Sequence, residues 1–267
     1  MSHEIDLLDA PKIPRKSADL REYTPKIGKP ELSRGSKVLI GVTYAELGGE
    51  QFFVPVEINL GNKKGPKCII IVGDEPSGKE NVAIGTLRYV LGSTNPKYLK
   101  LNIIADKNDP NRLTRDVWQE PVKSRVSTAF PEGPVATKII DAICKKLDTP
   151  EPIFKFEEPD PHIFIMENLG HILAKTLRAK QYEKVLKIGE ILSYKGYLPI
   201  LTLVTVKSAD LPFLTNSRIT PETTNGVWLF GKSESDKRFM DINPGVFYAW
   251  NSKKESLLPF PIVPFDY

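Results

Sequence analysis

The stretch CIIIVGDEPSGKENVAIGTL, residues 68–87, constrains the fold of this chain more than any other. It opens with CIIIV at 68–72, a short, wholly apolar, β-branched run that suits a central strand covered on both faces. Gly73 ends the run and a polar loop follows. NVAIGTLRYVL at 81–91 then has a helical period, with Val82, Leu87, Val90 and Leu91 able to share a face. Strand, glycine-bearing loop and helix are the parts of a phosphate-binding loop: glycines let backbone N–H groups converge, and the helix N-terminus faces the anion. Gly73, Gly78 and Lys79 satisfy the pattern G-x-x-x-x-G-K-[ST] at every position but the last. There Glu80 stands in place of the hydroxyl that would hold Mg²⁺. Gly73, Ser77, Gly78, Lys79 and Glu80 are the candidate nucleotide-binding residues.

The remaining chain arranges itself around this unit. Residues 1–36 carry four prolines and charges of both signs without sustained periodicity, which reads as an extended or poorly ordered arm. KVLIGVTYAE and QFFVPVEINL, separated by LGGE, predict an N-terminal β-hairpin. Further strands are expected at 99–106, 162–168 and 197–206, with amphipathic helices at 133–147 and 169–196. NGVWLFGKS and KRFMDINPGVFYAW close the chain with an antiparallel character. Alternating strands and helices predict an α/β fold with a largely parallel central sheet and helices on both faces. The expected organisation is an arm (1–36), a core with its leading hairpin (37–257) and a Pro/aromatic tail, LPFPIVPFDY (258–267). Such a tail cannot fold alone and is expected to lie in a groove, on its own domain or on a partner.

Several classes are disfavoured. The apolar runs CIIIV and YLPILTLVTV are far shorter than a membrane span. MSHEIDLLDAPKIPRK lacks the apolar centre of a signal peptide, so an intracellular protein, cytoplasmic or nucleoid-associated, is expected. The two cysteines, Cys68 and Cys144, form no zinc pattern and read as buried free thiols, and three scattered histidines make no metal site. A net charge of +4 permits a nucleic-acid partner without arguing for one. No His lies near Gly73, which removes a zinc-carboxypeptidase reading of the same loop.

The order of segments resembles the RecA/RadA/KaiC-like branch of P-loop ATPases over roughly residues 65–250. The loop is one anchor. NIIADKNDPNRL (102–113) is similar to the end of the second strand in RadA-like recombinases. PHIFIMENLGHIL (161–173) is similar to the Walker B strand. YKGYLPILTLVTVKSADLP (194–212) looks like the strand that leads into a mobile DNA-contacting loop, and TTNGVWLFGKSESDKRFMDI (223–242) like the closing strands. The resemblance implies a RecA-like P-loop fold, ATP and Mg²⁺ as cofactors, and subunits that hold their neighbours, here through the arm or the tail. It places Asp106 near the carboxylate that orients the attacking water. Glu167 stands near the Walker B position, about one residue out of register.

The departures point to a degenerate member. Glu80 brings repulsion where a metal ligand is usual, Asp74 and Glu75 add two more negative charges, and the Walker B aspartate is missing. Phosphoryl transfer relies on positioning and charge neutralisation, so hydrolysis is expected to be weak or absent. Two functions remain open. One is a DNA-associated protein of recombination, repair or replication; the basic run 175–195, with Lys180, Lys184 and Lys187, would then meet DNA phosphates, though a solvated helix face is the commoner explanation of such a run. The other is a non-catalytic structural or assembly subunit with the fold as scaffold.

Overall fold

The structure is a computed structural model that describes residues 18–19, 37–47, 49–59, 68–93, 100–104, 126–129, 138, 141, 145, 162–166, 169–170, 200–216, 218–224, 226–251 and 256–266. Strands are β1 (Ala18–Asp19), β2 (Lys37–Leu47), β3 (Glu50–Asn59), β4 (Cys68–Val72), β5 (Lys100–Ile104) and β6 (Val126–Ala129). They continue with β7 (His162–Met166), β8 (Ile200–Val206), β9 (Gly226–Phe230), β10 (Phe247–Asn251), β11 (Ser256–Ile262) and β12 (Phe265–Asp266). The helices described along their length are α1 (Lys79–Ser93) and the short α2 (Leu211–Asn216).

Eight strands form one sheet in the order β11-β10-β9-β4-β8-β7-β5-β6. The five pairings from β9 to β6 are parallel, and β10 and β11 extend the sheet antiparallel at one side. The mixed α/β architecture with a partly parallel sheet agrees with the expectation from the alternating pattern. Two details differ. β9 is parallel to β4 and only its pairing with β10 is antiparallel. β6, the run VSTA, is absent from the expected strands: four residues with two hydroxyls carry too little apolar signal to read as a strand. Of the expected helices at 133–147 and 169–196, most residues lie outside those described. Lys138, Asp141 and Lys145 are helical and exposed, a spacing that puts them on one solvent face.

β4 is central because nothing in it tolerates water: all five residues are buried, and both of its edges are paired. One face of the sheet is covered by α1 and by the hairpin. There Ile69 and Ile71 pack in one cluster with Val82, Ala83 and Leu87 of α1 and with Val38, Ile40 and Ile58 of β2 and β3. Each of these Val, Leu and Ile side chains contributes roughly 1.5–3 kcal/mol by leaving water. On the other face Trp228 and Phe230 stack at 6.1 Å, and Phe239 stacks on Phe230 at 4.7 Å.

The hairpin runs in register from Lys37↔Asn59 to Leu47↔Glu50, with a shift between Leu39 and Gly41. Gly49 closes it at φ +83°, a left-handed conformation that glycine adopts without cost. Gly41 has a separate task. A Cβ there would meet the Val263 carbonyl oxygen at 2.7 Å and Ile262 Cγ2 at 2.8 Å. Only glycine lets β2 approach the C-terminal segment closely enough for Val42 and Val263 to exchange hydrogen bonds at 2.9 and 2.8 Å. Residues 258–266 thus run through β11, the Val42 bridge and β12. β12 pairs in parallel with β1, Ala18 opposite Phe265 and Asp19 opposite Asp266. β11 occupies the edge of the main sheet, with Pro261 opposite Tyr248. No described helix is long and apolar enough to cross a membrane.

Candidate nucleotide site

The loop after β4 keeps its strand entry. Gly73 N–H donates to the Val206 carbonyl at 3.1 Å and Asp74 N–H to the Lys232 carbonyl at 3.0 Å, so the loop departs from between the ends of β8 and β9. Glu75–Ser77 form a single 3₁₀ turn with Pro76 inside it, and Gly78 follows in the left-handed region at φ 75°, ψ 26°. α1 begins at Lys79. Ser77 is fully buried and folds back on Gly73: a Cβ on Gly73 would overlap the Ser77 side chain, 2.7 Å from its Cβ. Both glycines of the motif are therefore required, one for close approach and one for backbone conformation.

Several donors of this loop are engaged within the protein. Ser77 N–H donates to the Asp74 carbonyl at 2.9 Å, Lys79 N–H to Ser77 Oγ at 3.3 Å, and Asn81 N–H to the Gly78 carbonyl at 3.0 Å. Pro76 has no N–H to offer. Lys79 is 2% exposed, and its Nζ lies 2.6 Å from Glu80 Oε1. The five residues proposed from the sequence are thus brought together around the loop, but Lys79 is turned to a neighbouring carboxylate.

In sequence Asp74 reads only as unwelcome charge. In the structure it is a brace. Its Oδ1 accepts the Ser208 N–H at 3.1 Å; its Oδ2 accepts the Glu234 N–H at 2.6 Å and the Ser233 hydroxyl at 3.2 Å. One carboxylate therefore joins the segments that leave β4, β8 and β9. β8 passes at once into a 3₁₀ turn, Ser208–Asp210, and then α2. The Asp210 side chain packs directly on Gly170 in the helical segment beyond β7, where a Cβ would overlap it. After β9, Asp236 accepts Arg238 N–H at 3.0 Å and pairs with its guanidinium at 2.6 Å, shaping the turn that sets Phe239 on Phe230. Partial burial pushes the Asp236 carboxyl up, but the hydrogen bonds and charge of Arg238 outweigh it and leave it below the usual carboxylate range. Beneath the site, burial pushes the Cys68 thiol far above its ordinary value.

Asp106, Glu167, Lys180, Lys184 and Lys187 lie outside the described residues. Among the described residues no group of His, Cys, Asp and Glu is gathered to hold a metal ion. The loop itself does not fit a Mg²⁺-triphosphate: position 80 supplies a carboxylate already engaged with Lys79, and the motif's backbone donors are partly consumed.

No family model matches this chain, and no curated protein matches it in sequence. Solved structures do match in shape. The cytoplasmic domain of the Thermomonospora curvata type VII secretion ATPase EccC is similar at TM-score 0.61 and 12% identity, over 87% of this chain and 26% of that one. EssC (ATPases 2 and 3) from Geobacillus thermodenitrificans is similar at TM-score 0.58 and 14% identity, over 96% of this chain and 48% of that one. The pCW3 conjugation coupling protein TcpA, solved with ATPγS, is similar at TM-score 0.55 and 15% identity, over 95% of this chain and 70% of that one. This chain thus spans between a quarter and a half of the secretion ATPase chains it matches. At such identities the likeness is one of fold. It is the P-loop ATPase fold, and not specifically its RecA/RadA/KaiC branch.

Proposed function

We propose that this chain is a P-loop ATPase-fold domain of the secretion or conjugation coupling kind that has lost appreciable ATP hydrolysis and acts as an assembly or regulatory module within the cell. One observation carries the reading: strand, glycines, lysine and helix of a phosphate loop are all in place, while a carboxylate occupies the position of the metal-holding hydroxyl. Without that ligand the charge developing in phosphoryl transfer has lost its principal counterion. TcpA, alike in fold, was solved with ATPγS; in this chain Lys79 of the corresponding loop is engaged by Glu80 instead. Partner subunits would be met through the N-terminal arm or the C-terminal tail. The test is steady-state ATP turnover with Mg²⁺. A rate no greater than that of a Lys79→Ala variant is expected, and turnover abolished by that substitution would overturn the reading. A DNA-acting role in recombination, repair or replication is the second reading; it rests on the lysine-rich run at 175–195 alone.

A further inference from the structure

We propose that Glu80 is a resident counter-anion of the phosphate loop. It satisfies Lys79 in the role that a nucleotide phosphate would fill, so the loop keeps its fold without ligand and shuts nucleotide out. The inference deepens the reading of a non-hydrolysing domain and rests on it.

Three observations converge. First, Lys79 is 2% exposed, and a buried ammonium requires a partner because its hydration is gone. The partner present is Glu80 Oε1, at 2.6 Å. Second, adjacent residues on a helix diverge by about 100° and do not normally face each other. The pairing of residues 79 and 80 at the start of α1 therefore requires side chains directed back toward one point beside the loop. A carboxylate in the first turn is also favoured by the helix dipole, which supplies the same field that attracts a phosphate. Third, and independently, two of the loop's donors are turned inward, Ser77 N–H to the Asp74 carbonyl and Lys79 N–H to Ser77 Oγ, and Pro76 offers none. The charge of the lysine and part of the loop's hydrogen bonding are thus met from within the protein.

The pair is asymmetric, and that gives the test its direction. The Glu80 side chain is 19% exposed and can rehydrate if Lys79 is removed; Lys79, at 3%, cannot if Glu80 is neutralised. Thermal melting of wild type, Glu80→Gln, Lys79→Met and the double variant, each with and without millimolar inorganic pyrophosphate, reads this out. Glu80→Gln should melt about 6–12 °C below wild type. Pyrophosphate should restore part of that loss, leave wild type unshifted and leave the double variant unshifted. Lys79→Met should melt above Glu80→Gln. Melting of Glu80→Gln within about 2 °C of wild type, no rescue by pyrophosphate, or the reverse order of the single variants would overturn the proposal. If Glu80→Gln does not fold, wild type still decides: a pyrophosphate-dependent rise in its melting temperature overturns the proposal, and no rise supports it. ATP turnover by wild type would remove the reading of a non-hydrolysing domain, whereas missing rescue in a protein without turnover would remove the counter-anion alone.

Discussion

The carboxylate of Asp74 accepts the backbone N–H of Ser208 at 3.1 Å across 134 positions of sequence. Through its other oxygen the same side chain holds Glu234 N–H and the Ser233 hydroxyl. The exits of three neighbouring parallel strands are thus fastened by one residue at the position after the first glycine of the loop. Hydrogen bonds to an ionised acceptor contribute about 1.5–3 kcal/mol each, and a buried donor left unpaired costs a similar amount. Asp74→Ala should therefore lose about 3 kcal/mol or more and melt roughly 6–12 °C lower. Asp74→Asn, which keeps one acceptor oxygen, should fall between the two in calorimetry.

Gly41 makes a second prediction. Gly41→Val forces side-chain atoms against the Val263 carbonyl and the Ile262 methyl, which sit 2.7 and 2.8 Å from the position of a first Cβ. Loss of about 1–3 kcal/mol is expected. Hydrogen exchange localises the effect: the amides of Val42 and Val263 should exchange faster, while that of Ile70 in the central strand should remain protected until global unfolding.

Cys68 serves as a probe of unfolding. Its side chain is buried in β4, and burial raises its thiol far above the ordinary range, so the reactive thiolate is suppressed twice over. In a Cys144→Ser background an aromatic disulfide reagent should leave native protein unmodified at neutral pH. Modification should appear at the rate of unfolding in denaturant. Fast labelling without denaturant would contradict the packing described for this strand.

The Asp236–Arg238 pair sets an acid-sensitive contribution. An unfolded aspartate titrates near ~3.9, and in the folded state Arg238 holds Asp236 lower. Its contribution is therefore full above about pH 4 and is lost as pH falls through the folded value. The pair is largely solvated on its Arg238 side, so the effect should stay under about 1 kcal/mol. Melting temperature plotted against pH should fall less steeply below pH 4 in Asp236→Asn than in wild type.

The assembly reading also speaks to DNA. If the lysines of the 175–195 run form a solvated face, single-stranded DNA should show no salt-sensitive binding in fluorescence anisotropy. Neutralising Lys180, Lys184 and Lys187 to Gln should then change nothing. Binding at low salt that these substitutions abolish would instead favour the DNA-acting role.

The parts of this molecule that are legible in sequence are those written in contiguous residues. CIIIV followed by Gly73, Gly78 and Lys79 specifies a buried strand, a loop and a helix because period, glycines and length all agree. The hairpin is readable for the same reason, two β-prone runs about a Gly-Gly turn. The brace is not legible, since it depends on which strands become neighbours. Yet a signal is present: β8 is followed by Lys207-Ser208 and β9 by Gly231-Lys232-Ser233. This repeated Lys-Ser exit supplies both serines that meet Asp74. Reading Asp74 and Glu80 only as repulsive charge misses them because a carboxylate's effect is set by the donors folded around it. The resemblance to recombinases places the chain in the right broad fold and too narrow a branch, since the order of strands and helices is shared across P-loop ATPases.

β11, at the edge of the main sheet, contains Pro259 and Pro261 in a seven-residue strand. Neither proline has an N–H to donate, and the pairing with β10 shifts register between Tyr248 and Trp250, opposite the stretch that holds Pro259. A foreign strand approaching that rim would meet a strand short of two amides and broken in register, a poor template for a continuous ladder. Fibrillar growth by edge-to-edge stacking is thereby discouraged at a margin that would otherwise present an apolar, β-prone template, and the protein should stay dispersed at concentrations where a Pro259→Val, Pro261→Thr variant begins to bind amyloid dyes.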